Sequence, residues 1–255
     1  MRGGFRLEPI YSPLGDRAVR ITFGNKLSEE TNDIVTQMYD KIESAKLPYI
    51  SEMVPGYVTL TIYYAQEKAR DYHSVIQQLE SIVNDSRTTE MERSKTRKLT
   101  IPVLYGGEKG PDLGVVAQHS DMSEEEVIQR HESSIYRVYM MGFAPGFPYL
   151  GGLDESIATP RRQTPRNFVA AGSVGIAGPQ TGVYSIDSPG GWQIIGHTPV
   201  KLFNPLQKKP ILLRAGDEIS FQSVSEQEYK KIIKECEKGN YTHDIEWKEH
   251  RGGSL

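Results

Sequence analysis

Arg161, Arg162 and Arg166 lie close together, framed by Pro160 and Pro165, in a stretch otherwise poor in charge. Proline fixes the local backbone, and a guanidinium presents a planar fork of donors, so the segment suits a carboxylate or a phosphate. The competing reading is a solvated loop paired with Asp154 or Glu155. Downstream, Gln180, Thr181 and Tyr184 supply amide and hydroxyl groups, and Trp192 follows Gly190 and Gly191. Such groups beside glycines, where a ligand can approach the backbone, fit a neutral polar substrate. His197 sits in Gly196-His197-Thr198-Pro199, expected to be a tight turn between two strands, either simply exposed or functional. Residues 143–150 hold Phe143, Phe147 and Tyr149 around Pro145, Gly146 and Pro148, which no helix interior accepts. Phe143, Pro145, Phe147 and Trp192 are candidates for an apolar groove; core is the expected place for Phe143.

Other chemistries fail on spacing. The loop Gly106-Gly107-Glu108-Lys109-Gly110 matches neither a Walker loop nor the dinucleotide fingerprint, and a turn is the expected reading. Ala171-Gly172-Ser173-Val174-Gly175 approaches a nucleophile elbow. The elbow needs a helix directly after its serine, however, and Ile176-Ala177-Gly178-Pro179 is strand and turn chemistry. The six histidines form no H-x-x-x-H box, and Cys236 is alone, so no metal site is expected.

These residues need a frame. Residues 17–23 alternate as a half-buried strand, and Ser28 caps a helix whose apolar positions Ile34, Val35, Met38 and Ile42 recur at helical spacing until Pro48. Residues 50–54 and 57–64 read as a hairpin around Pro55-Gly56, and residues 71–83 as a second amphipathic helix. Residues 1–92 are thus expected to form a small α+β domain of βαββα order. Residues 93–98 are expected to be a charged linker. Beyond it, residues 99–238 are read as a mainly β barrel domain: a strand at 99–105 with Pro102 at an edge or start, helices opened by Pro111-Asp112 and by the capping box Ser123 to Glu126, and a strand at 135–141. Short strands follow, including 192–195, 200–203, 211–214 and 219–222, and a last helix capped by Ser225 ends at Gly239. Residues 239–255 are expected to be a loosely tethered tail.

Composition narrows the class. The chain has 255 residues, 30 Lys and Arg against 33 Asp and Glu, and a net charge of −3, which with no basic tract argues against nucleic acid. No apolar run is long enough for a membrane span, and the N-terminus lacks a signal-peptide core, so a cytoplasmic protein is expected. Of the 24 Gly and 15 Pro, 11 and 7 fall in residues 142–199, which concentrates the turns, and with them the candidate ligand groups, in one segment.

Long motifs in that segment and ahead of it carry a resemblance that covers nearly the whole chain. Ile101-Pro102-Val103-Leu104-Tyr105-Gly106-Gly107-Glu108, Gly110-Pro111-Asp112-Leu113 and Met141-Gly142-Phe143-Ala144-Pro145-Gly146-Phe147-Pro148-Tyr149-Leu150-Gly151-Gly152-Leu153 resemble the KipI family, also called the allophanate hydrolase subunit 1 family. Thr159-Pro160-Arg161-Arg162, Ala171-Gly172-Ser173-Val174-Gly175, Gln180-Thr181-Gly182 and Ser188-Pro189-Gly190-Gly191-Trp192 agree with it. The resemblance implies an α+β N-terminal domain and a cyclophilin-like β-barrel. It implies a subunit of an ATP-dependent 5-oxoprolinase complex that opens 5-oxoproline to L-glutamate, inactive alone, with ATP bound by the assembly. The implied partners are a second cyclophilin-like subunit (PxpC type) and a PxpA-type subunit. Arg161, Arg162 and Arg166 would then bind phosphate or the substrate carboxylate, and Gln180, Thr181 and Tyr184 would orient the lactam. A family member inhibits a sporulation sensor histidine kinase by direct binding, the alternative role for the aromatic groove. His197 departs from the family's usual Arg, exchanging a permanent cation for a titratable ring.

Overall fold

A computed structural model describes residues 9–25, 28–67, 71–84 and 96–248. The chain divides into two units, residues 1–94 and 95–255.

In the first unit the strands are β1 (Ile10–Pro13), β2 (Ala18–Thr22), β3 (Ile50–Pro55) and β4 (Thr59–Tyr64), with helices α1 (Glu29–Ser44) and α2 (Tyr72–Asn84). The four-stranded antiparallel sheet runs β1-β2-β4-β3. Alternation in β2 and β4 sends Val19, Ile21, Leu60 and Ile62 to one face, where they bury against Val35, Ile42, Val75 and Leu79 of the helices. Ser28 accepts the Thr31 N–H as its cap. Strand β1 was not expected from the sequence; at four residues, with a proline at its end, it carries little periodicity.

The second unit is a mainly β, nearly closed sheet with helices against it. Its elements are β5 (Thr96–Tyr105), α3 (Leu113–Ser120), α4 (Glu124–Ser133), β6 (Tyr136–Met141), β7 (Pro148–Gly151), β8 (Arg166–Val169), β9 (Ser173–Ala177), β10 (Gln180–Val183), β11 (Ser188–Gly190), β12 (Gln193–His197), β13 (Glu218–Ser223), α5 (Glu226–Glu237) and β14 (Asp244–Lys248). The main path is β10-β9-β12-β5-β13-β6-β7, and its end strands β10 and β7 lie side by side. Strands β8 and β11 form a separate ribbon. Ile101, Val103, Val138, Ile176, Ile195 and Ile219 fill the interior together with Tyr136 and Phe221. Each fully buried aliphatic side chain contributes about 1.5–3 kcal/mol.

His131 of α4 is wholly inside. Its ring stacks on Phe221 at 4.5 Å between centroids. Thr181 donates its hydroxyl to the Gly175 carbonyl at 3.1 Å, so its oxygen accepts from His131 Nε2–H at 2.8 Å, and His131 Nδ1 accepts the Tyr105 hydroxyl at 2.8 Å. Burial pushes the imidazole down to about 3, which keeps it neutral.

Several expectations are corrected. Strand β5 begins at Thr96, inside the expected linker, because Arg97 pairs with buried Asp217; residues 93–95 lie outside the described residues. Pro102 sits mid-strand rather than at an edge or start. The Val103 carbonyl accepts from Val224, which turns Pro102 toward the opposite side, in the gap between the β14-paired and β12-paired parts of β5. Residues 200–203 and 211–214 make only a Phe203↔Ile211 bridge, since Pro199, Pro205 and Pro210 interrupt any ladder. The expected loose tail contains β14, which pairs with β5 and brings Ile245 onto the core.

Candidate anion-binding site

Asp112 occupies the N-cap position of α3, yet its side chain makes no capping bond. It is only 3% exposed. One carboxylate oxygen, Oδ1, accepts from Arg162 Nη1 at 3.0 Å and from Arg166 Nη2 at 2.8 Å. The other, Oδ2, accepts the Ile194 backbone N–H at 2.6 Å.

Arg162 is delivered by a loop laid along the start of β12: its backbone N–H donates to the Gly191 carbonyl at 2.7 Å, and Gln193 Nε2 donates to the Pro160 carbonyl at 2.9 Å. Arg166 opens β8, where it faces Gly190 of β11 in register. A Cβ at Gly190 would meet the Tyr184 hydroxyl at 2.1 Å, so only glycine lets that ribbon approach. Arg161 lies over the Trp192 ring at 5.9 Å. Burial pushes the Tyr184 phenol up, while a Trp192 backbone hydrogen bond and the charges of Arg161 and Arg166 pull it down.

Three guanidiniums against one carboxylate leave the cluster cationic. Two polar atoms here are buried without a partner, Arg162 Nε and Gln193 Oε1. An unspent donor beside excess positive charge suits a carboxylate or phosphate oxygen.

The structure thus gathers Arg161, Arg162, Arg166, Tyr184 and Trp192. Asp154, the expected partner of a solvated loop, pairs with Arg130 instead. Other candidates lie elsewhere. Thr181 is 1% exposed, its hydroxyl held by His131 and Gly175. Gln180 is half-buried at the start of β10, opposite Ala177. His197 ends β12, rather than forming a turn between strands, and its Nδ1 meets the Tyr229 hydroxyl at 2.8 Å. Burial and the Lys109 charge pull His197 down to about 4, against a hydrogen bond to the Ala171 backbone, so near neutral pH it supplies no cation.

The aromatic placements are exchanged. Phe143, expected in the core, is 72% exposed, because its backbone adopts φ +63° and turns the ring outward. Phe147 and Trp192, expected in a groove, are 4% and 8% exposed and pack edge to face. Pro145 is exposed. Asp112 and Gln193 were missed, since a carboxylate 50 residues from Arg162 gives no local signal.

The loop after β5 does not fit a nucleotide phosphate. Gly106 N–H donates to Ile195, and the Lys109 and Gly110 N–H groups donate to the Gly106 carbonyl. A Cβ at Gly110 would meet the Ile195 oxygen at 2.0 Å, so the loop is packed on β12. Among the described residues no group of His, Cys, Asp and Glu is arranged to hold a metal ion, and no helix is long and apolar enough to cross a membrane.

Residues 9–213 match the family model described as carboxyltransferase domain, subdomain C and D. The chain belongs to this family. Within the carboxyltransferase subdomain C and D family, it is 45% identical over 223 residues to a Bacillus subtilis (strain 168) protein named as the B-type subunit of 5-oxoprolinase, covering 85% of this chain and 93% of that relative. The Escherichia coli O157:H7 protein of the same name is 47% identical over 175 residues, 69% of this chain and 78% of the relative. These likenesses agree with the KipI-type motifs of residues 101–192. The crystal structure of TTHA0988 superposes with a TM-score of 0.72 at 33% identity, covering 82% of this chain and 40% of that one.

Proposed function

We propose that the chain is a subunit of an ATP-dependent 5-oxoprolinase complex, hydrolysing 5-oxoproline to L-glutamate with ADP and phosphate released. The observation that carries this reading is the 45% identity to a B-type 5-oxoprolinase subunit, along 93% of that relative's length. The cationic cluster on Asp112 supports it, because the substrate and a phosphorylated intermediate are both anionic.

A lactam is a poor electrophile. Transfer of a phosphoryl group to its oxygen makes the ring carbon open to water, and the site's task is to hold the anion in place. Arg161, Arg162 and Arg166 take the substrate carboxylate or the phosphate. Tyr184, beside the arginines, is the remaining lactam-orienting candidate with Gln180, whereas Thr181 and His197 serve the fold. ATP belongs to the assembled complex rather than to the loop at residues 106–110. The partners on this reading are a second barrel subunit and a further catalytic subunit, and the chain is inactive alone. The barrel is read as cyclophilin-like, with an α+β N-terminal domain and a boundary in the charged stretch before residue 98.

Co-expression with the partner subunits tests the reading through 5-oxoproline-dependent ADP release. Robust release is expected from the assembled complex, and release independent of 5-oxoproline would overturn the assignment. Arg161→Ala is expected to assemble and lose turnover; full turnover in that variant would remove Arg161 from the site.

A further inference from the structure

We propose that Asp112 is a positioning residue, which holds Arg162 and Arg166 in the one arrangement that presents the Arg162 Nε–H to the carboxylate of the bound substrate. The proposal rests on the 5-oxoprolinase reading and adds to it a residue that sequence reasoning treated only as a helix opener.

An aspartate at an N-cap ordinarily accepts from its own helix. Asp112 forgoes that bond and spends both oxygens across the fold. With Oδ2 tied to the rigid β12 backbone at Ile194, the carboxylate cannot rotate, so Oδ1 has a fixed direction. Arg162 and Arg166 both end on that oxygen, although one comes from a loop and the other from β8. Two guanidiniums repel; a shared, immobile anion keeps them adjacent.

A guanidinium has donors on three nitrogens. After Asp112 is served, Arg162 Nε remains buried with no partner in the protein. An unmade bond at a buried polar group costs stability, and here two such atoms, Arg162 Nε and Gln193 Oε1, fall beside the same arginine cluster. Asp112 fixes the Arg162 guanidinium, whose side chain is still 35% exposed, so a small anionic ligand that settles against it completes the bond Nε lacks.

The test uses the reconstituted complex containing the full chain, with 5-oxoproline and ATP varied separately. Asp112→Asn keeps an oxygen for the Ile194 N–H but turns an amide toward the arginines. Its expected effect is a rise in KM for 5-oxoproline of roughly tenfold or more, the scale of a lost charge-assisted hydrogen bond, with kcat and the KM for ATP largely kept. Asp112→Glu, which retains the charge, is expected to recover part of the affinity. An assembled Asp112→Asn complex with the wild-type KM for 5-oxoproline overturns the proposal, as does an equal loss for both substrates. Should Asp112→Asn not assemble, Arg162→Lys carries the test: it keeps the charge and loses the Nε–H. A raised KM supports the proposal and a wild-type KM overturns it. A wild-type complex without 5-oxoproline turnover overturns the functional reading and this proposal together, whereas an active wild type beside an unaffected Asp112→Asn overturns this proposal alone.

Discussion

Asp112 and Ile194 are joined twice: the Asp112 N–H donates to the Ile194 carbonyl at 2.8 Å, and the Ile194 N–H donates to the Asp112 carboxylate at 2.6 Å. The first bond locks the start of α3 to β12 whatever the side chain at position 112, and the second depends on it. Backbone register and site geometry are therefore separable here by substitution.

His131 makes the second unit acid-sensitive. Its folded pKa, about 3, lies below the ordinary value of 6.5. Between those values the unfolded chain binds a proton that the folded one refuses, so stability is full above about pH 6.5 and falls with decreasing pH by up to about 1.4 kcal/mol per unit. His197, pulled down to about 4, acts in the same direction. Urea denaturation across pH 4–7 (roughly the window set by these values) checks this, and His131→Asn is expected to flatten the slope while lowering stability at pH 7.

The exchanged aromatics predict opposite outcomes for one chemical change. Phe147→Ala empties a site among Tyr149, Tyr184 and Trp192 and is expected to cost about 3–5 kcal/mol. Phe143→Ala, on an exposed ring, is expected to stay within about 0.5 kcal/mol. Chemical denaturation of the two variants side by side decides the matter; a large loss for Phe143→Ala would contradict its exposure.

Two glycines of one loop should differ sharply. Gly110→Ala drives a methyl into the Ile195 carbonyl and is expected to abolish soluble folding or lower Tm steeply. Gly107→Ala meets nothing within 4 Å and suffers only its positive φ, a penalty of about 1–2 kcal/mol. The assembled Gly107→Ala complex is expected to keep its KM for ATP; a large rise would return the loop to consideration as a phosphate cradle.

Removal of Arg97 leaves Asp217 buried beside the half-exposed Arg214. Arg97→Met is expected to cost about 1.5–3 kcal/mol, the scale of hydrogen bonds to a charged group, because Asp217 keeps the Arg214 guanidinium and backbone N–H. A thermal melt reads it directly, and Arg97→Met together with Asp217→Leu should recover much of the loss.

Helices with strong caps were legible in the sequence: Ser28, Ser123 and Ser225 cap where their positions suggested, because a cap is a contact three residues long. The arginine cluster was legible as a cluster of like charge. Its counter-ion was not, since Asp112 lies 50 residues from Arg162 and looked like any aspartate opening a helix. Phe143 misled for a related reason. Hydrophobicity argues for burial, but the left-handed backbone at that residue is set by the turn that seats Phe147, and composition is blind to which of two neighbouring rings a turn points inward. Strand β14 escaped notice because five half-polar residues acquire strand character only when β5 offers an edge.

That edge governs the order of assembly. β5 opens the second unit, yet its neighbours β12, β13 and β14 all come in the unit's later half, and the Arg97–Asp217 pair spans 120 residues of sequence. A chain emerging from the ribosome must hold β5 without a partner until β12 arrives, and most of its length until β13 and β14 follow, so high contact order makes this unit a slow, late-committing folder whose exposed first strand is the natural client of a chaperone.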